Sequence, residues 1–182
     1  MKSMLLLAAA TTALALGATH NLAYAQSDGG SSLADSMQVV MDTVTAQGPV
    51  AFTGSVTDSS NNSSWSYSRT VTITNFKPDV TACTLYFHFS EVTPGNPSQE
   101  TDGWVPFGQV HDTKVESLED ETVAIDAKAG HPTWRISMQP EIYVVSAERG
   151  DGTVNDFDFY SQDTAMRVAA AIRRATKLCG GG

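Results

Sequence analysis

The sequence predicts an α+β domain: an antiparallel β-sandwich or open barrel of about seven strands, with an N-terminal helix and a C-terminal capping helix. Three observations predict it. Apolar residues recur at helical spacing only near the two ends of the exported portion. Between those ends the alternation has period two, strictly so from Trp65 to Thr74. Turn signals punctuate the middle of the chain at short intervals, with no helical pattern between them.

Residues 1–25 read as a cleavable signal peptide. Met1-Lys2 supplies a positive start, Met4 to Ala18 an apolar run of Leu, Ala, Thr and Met, and Ala23-Tyr24-Ala25 a small-x-small cleavage site. The run is shorter than the roughly 20 residues that span a bilayer. Residues 26–182 are then a single exported β-rich domain, periplasmic or extracellular, with no stable membrane insertion after cleavage. Gln26 to Ser31 form a polar lead-in.

Ser32 is placed to cap the first helix, with Asp35 three residues on as its capping-box partner. Leu33, Met37, Val40, Met41 and Val44 make one apolar stripe, and Gly48-Pro49 end it. Val50, Phe52 and Val56 suggest a first strand, and Asp58 to Ser64 a polar loop. Trp65, Tyr67, Arg69, Val71 and Ile73 then share one strand face, with Ser and Thr on the other. Ala82 to Phe89 puts Cys83, Leu85, Phe87 and Phe89 on one face. Thr93 to Gly103 reads as a long loop. Segments 104–110, 121–126, 133–138, 142–147 and 154–160 read as further short strands. Ser161 or Asp163 opens the last helix, whose inner stripe is Ala165, Val168, Ala169, Ile172, Thr176 and Cys179.

Charge limits the function classes. After residue 25 there are 10 basic and 20 acidic side chains. Such a net charge repels nucleic acid and anionic membrane surfaces, so no nucleic-acid partner is expected. The imbalance lies in residues 26–160, with 6 basic against 19 acidic. From Ser161 on, Arg167, Arg173, Arg174 and Lys177 face Asp163 alone. Arg167, Arg174 and Lys177 lie opposite the apolar stripe. They either complement the helix dipole and nearby acids, or dock an acidic partner or a second copy.

Cys83 and Cys179, the only cysteines, both fall on apolar faces, which in an exported chain suggests one disulfide. No metal or cofactor is indicated: His88, His111 and His131 lack ligand spacing, and His111-Asp112 would point to opposite faces of a strand. No catalytic residue stands out, since Gly-x-Ser-x-Gly and Ser-x-x-Lys are both missing. The acids Glu116, Glu119, Asp120, Glu121 and Asp126 read as a solvated turn rather than a glycosidase pair. Asp151-Gly152 reads as a hairpin turn rather than a calcium loop. Trp65, Tyr67, Phe107 and Trp134 read as core, and Trp104, beside the long loop, as a candidate binding residue.

The ending from Phe157 to Leu178 (Phe-x-Phe, Ala165-x-Arg167-Val168-Ala169, then Leu178-Cys179-Gly180-Gly181) resembles that of a family of uncharacterised exported bacterial proteins. The order of strands followed by a capping helix resembles the pleckstrin-homology-like superfold. That resemblance implies a scaffold for binding, although the basic loops many of its members use are not apparent. Two functions follow. The first is a non-catalytic exported domain that binds a protein, peptide or envelope component. The second is a small secreted hydrolase whose acids or histidines converge only in three dimensions.

Overall fold

The first helix begins where a capping box closes: in the computed structural model, which describes residues 32–181, Ser32 Oγ accepts from Asp35 N while Asp35 Oδ2 accepts from Ser32 N. This helix, α1 (Leu33–Gln47), ends at Gly48, whose φ of 69° is a conformation glycine adopts freely. Both signals were legible in the sequence. The expectations for the leader and lead-in lie outside the described residues.

Eight antiparallel strands follow, in two sheets. They are β1 (Val50–Asp58), β2 (Ser63–Asp79), β3 (Thr84–Val92), β4 (Gln99–Pro106), β5 (Val110–Ser117), β6 (Trp134–Gln139), β7 (Tyr143–Arg149) and β8 (Val154–Phe159). The larger sheet has the order β4-β3-β2-β1-β6 and the smaller β5-β7-β8. The sheets pack without closing into a barrel. A second helix, α2 (Leu118–Lys128), links β5 to β6, and α3 (Gln162–Leu178) closes the chain. The α+β class, the helix at each end and the strand-rich middle are thus as expected from the sequence.

Four local expectations are corrected. Segment 121–126 is part of α2, not a strand. Val123 and Ile125 mimic period two, but they are exposed at 39% and 56%. What decides the segment is Ser117, which caps α2 by accepting from Asp120 N, and the acids Glu119, Asp120 and Glu121 at the positive end of the helix dipole. Second, the long loop stops early: residues 99–103 belong to β4, an edge strand whose polar residues hid it. Third, the expected strand 104–110 breaks at a one-turn 3-10 helix, Phe107–Gln109, after which β5 begins. Fourth, Trp65 is not core; it is 42% exposed.

The larger core lies where α1 and α3 meet both sheets. Met37, Val40 and Val44 of α1 and Val168 and Ile172 of α3 pack with Leu85, Val105, Phe107, Phe157 and Phe159, all buried. A smaller core joins Val50, Phe52 and Val56 of β1 to Ile136, Met138, Val144 and Leu118. At roughly 25 cal/mol per Å² of apolar surface, these clusters supply the main stabilising term.

Cys83 and Cys179 form a disulfide, which ties the β2–β3 turn to the end of α3 across 96 residues. The helix end is itself fixed. Gly180 stands at φ 74° and Gly181 N donates back to Thr176 O, a Schellman ending. A side chain at Gly181 would meet Phe107 O at 2.7 Å.

Candidate functional site

Strand alternation divides the small sheet into two unlike faces. Val145, Ala147, Phe157 and Phe159 pack into the larger core. Their neighbours Ser146, Asp156 and Asp158 must then point the other way. In register, Ser146 stands opposite Asp156 and Val144 opposite Asp158. This polar face looks into a cleft of about 460 Å³ between the sheets.

The inner face of the large sheet forms the facing wall, with Tyr67 and Arg69 of β2 and Phe87 and Phe89 of β3. Tyr67 can lie flat there because its cross-strand neighbour is Gly54. A Cβ on Gly54 would fall 2.4 Å from Tyr67 Cζ. Gly103, opposite Phe87, does the same: a Cβ there would fall 2.4 Å from Phe87 Cε2. Glu121, Thr122 and Ile125 of α2 form the third side.

The charges in the cleft do not balance. Arg69, the one Lys or Arg among its described lining residues, donates to Glu91 Oε2 at 2.6 Å. Asp156 and Asp158 feel the Arg69 charge through space, and its short ion pair is with Glu91. Burial, then the charges of Asp156, Glu116 and Asp158, pushes the Glu121 carboxyl up to about 7. Burial, opposed by Arg69 and reinforced by Asp156 and Glu91, pushes Asp158 up to about 6. Asp156 is raised too, chiefly by desolvation, although its residue surface stays open at the mouth. Ser146 is 3% exposed and lies close enough to Glu121 and Asp156 to ease both charges. Its hydroxyl makes no well-formed hydrogen bond, and Asn155 Oδ1 is likewise buried without a partner. The cleft therefore holds three acids against one described cation, and Arg69 Nε is also buried there without a partner.

Of the acids in the sequence cluster, Glu121 alone lines this cleft. Glu119 turns to β6 and accepts from Met138 N at 3.3 Å. The solvated-turn reading is corrected accordingly: Glu116 belongs to β5, Glu119, Asp120 and Glu121 begin α2, Asp126 lies farther along it, and Glu121 lines the cleft. Asp156 and Asp158 stood in the sequence as part of a strand ending in Phe-x-Phe, and the period-two rule that buries the phenylalanines was the available signal for their shared face.

The remaining candidates lie apart. His88 Nδ1 is 3.0 Å from Asp102 Oδ1, His111 Nε2 is 4.0 Å from Glu148, and His131 stacks on Trp134 with ring centroids 4.0 Å apart. Among the described residues, no three His, Cys, Asp or Glu side chains are placed to hold a metal ion. Arg167, Arg174 and Lys177 are exposed on α3, and the adjacent Arg173 donates to Thr113 O at 2.6 Å. Trp104 is 47% exposed on β4, beneath the Arg149 guanidinium at 5.9 Å. The Arg149-Gly150-Asp151 tripeptide turns its charges on each other at 3.7 Å, and the Arg149 side chain is only 12% exposed. Among the described residues no helix is long and apolar enough to cross a membrane.

No known family model matches the chain, and neither curated proteins nor solved structures include one that is significantly similar to it.

Proposed function

We propose that this chain is an exported, non-catalytic binding domain whose protein or peptide ligand presents a cationic group to the cleft between the sheets. One observation carries the reading. Glu121, Asp156 and Asp158, from two elements, share a recess whose one described guanidinium pairs with Glu91, and burial raises the proton affinity of all three carboxyl groups. A Lys or Arg side chain, or a polyamine, supplies positive charge there. The rings of Tyr67 and Phe89 add cation–π attraction, about 0.5–2 kcal/mol depending on how dry the contact is. Export is supported by the leader-like residues 1–25 and by a disulfide, a cross-link that persists in oxidising compartments.

Titration calorimetry with a tetralysine peptide tests this at pH 6 in two buffers of different ionisation enthalpy. Binding releases protons as Glu121 and Asp158 ionise beside the incoming cation. Glu121→Gln and Asp158→Asn each weaken it by about ten-fold or more. Absence of binding to tetralysine and to spermidine, or binding unaffected by both substitutions, overturns the reading.

The hydrolase reading draws on the same Glu121. A carboxyl that is half protonated near pH 7 is suited to general-acid work. Turnover of a substrate that Glu121→Gln abolishes, while binding of that substrate persists, would select the enzyme.

A further inference from the structure

Side chains 86, 88, 102 and 104 alternate with the cleft-lining Phe87, Phe89, Thr101 and Gly103, so they emerge on the opposite face of the large sheet. There a shallow groove of about 640 Å³ runs over β2, β3 and β4. Tyr86 and Trp104 are cross-strand partners, exposed at 43% and 47%. The next pair along, His88 and Asp102, is hydrogen-bonded at 3.0 Å, and Glu100 lies 3.9 Å from the other His88 nitrogen. A bulge in β2 between Thr74 and Lys77 brings Asn75, at φ 55°, and Lys77 to the rim.

Two neighbouring aromatic residues that keep over 40% of their surface exposed, Trp104 with the Arg149 guanidinium 5.9 Å from its ring centre, differ from apolar residues scattered singly, which need no explanation. The groove's lining contains no Leu, Ile, Val or Met, and its apolar surface is all aromatic, from Phe76, Tyr86, Phe87 and Trp104. It offers flat rings and, beside them, carboxylate, amide and ammonium groups. A pyranose has the matching form, with an apolar C–H face and a rim of hydroxyls.

We propose that this groove is a carbohydrate-binding subsite. A sugar ring lies on Trp104 and Tyr86, and its hydroxyls bond to Asp102, Asn75 and Lys77. His88 is a positioning residue that holds the Asp102 carboxylate. The groove and the cationic cleft meet at Phe87 and Gly103, which line both, but Tyr86, Trp104, Asp102, Asn75 and Lys77 line the groove and not the cleft, so either proposal can fail without the other.

The three tryptophans, Trp65, Trp104 and Trp134, give three indole N–H resonances, which makes the test specific. The disulfide-bonded protein is titrated with cellotetraose, maltotetraose and chitotetraose to millimolar concentration, and the Trp104 signal is assigned from the Trp104→Phe spectrum. The expected result is a saturable shift at Trp104 with one sugar while Trp65 and Trp134 stay fixed. Asp102→Asn then weakens that sugar by about ten-fold without altering the melting temperature. No shift at Trp104 with any of the three sugars overturns the proposal. A shift confined to Trp65 or Trp134, or an affinity that Asp102→Asn leaves unchanged, also overturns it.

Discussion

Arg69 of β2 reaches Glu91 of β3 at 2.6 Å through Nη2 on the strand face that forms the cleft wall, while its Nε stays buried without a partner. Removing Arg69 exposes the imbalance. In Arg69→Met, Glu91 loses its partner, while Asp156 and Asp158 lose the charge that lowers their proton affinity. Stability should fall by about 1–3 kcal/mol at pH 8 and by less at pH 5, where Asp158 carries its proton. Urea denaturation at the two pH values measures the difference.

Glu121 and Asp158 also set how stability varies with pH. Each binds its proton more tightly folded than unfolded: about 7 against 4.5 for Glu121, and about 6 against 3.8 for Asp158. Between those values the native state holds more protons, so stability falls as pH rises and levels off above about 7. Asp35, Asp58 and Asp151 are lowered by hydrogen bonds and act oppositely, but below their ordinary value of 3.8. The melting temperature should therefore decline from pH 4.5 to 7 by several degrees. Glu121→Gln should flatten the upper part of that decline and raise the melting temperature at pH 8. A profile that climbs through this window would contradict the assignment.

The Cys83–Cys179 bridge closes a span of 96 residues. On chain-entropy grounds the double Cys→Ala variant should lose about 4–5 kcal/mol, and because the bridge anchors the end of α3, that loss should appear first as exposure of the Val168–Ile172 stripe. Hydrogen exchange of α3 in the variant checks this. Mass measurement after alkylation of the unreduced protein should find no free thiol.

Gly54→Ala places a methyl group where the Tyr67 ring lies, 2.4 Å from Cζ. The ring has to swing off the sheet and into the cleft. The expected cost is about 1–3 kcal/mol, together with loss of tetralysine binding. Thermal melts and calorimetry read the two effects separately.

The ends of the domain were legible because caps and stripes are local: Ser32 with Asp35, Gly48, and the spacing of Val168 and Ile172 depend on nothing outside their own helices. β2 was legible because its inner face is continuous. α2 was not, because it buries only Leu118 and carries no stripe for periodicity to detect. β4 was hidden by the reverse condition, as an edge strand that packs little through Gln99–Asp102. The cleft was half visible. Alternation assigns Asp156 and Asp158 to the face opposite Phe157 and Phe159, yet nothing local announces that α2 aims Glu121 at them. The Cys83–Cys179 pairing was visible because two apolar-face cysteines leave a single connectivity.

The rings of Tyr67 and Phe87 each occupy the volume a cross-strand Cβ would take, at Gly54 and Gly103. Neither member of such a pair can drift alone. A larger residue at the glycine displaces the ring, and a smaller one at the ring leaves the glycine backbone bare to the cleft. In diverged copies of this fold, positions 54 and 67, and separately 103 and 87, should therefore change together or not at all. Distant kinship would survive as two paired absences and rings across neighbouring strands after overall identity has faded.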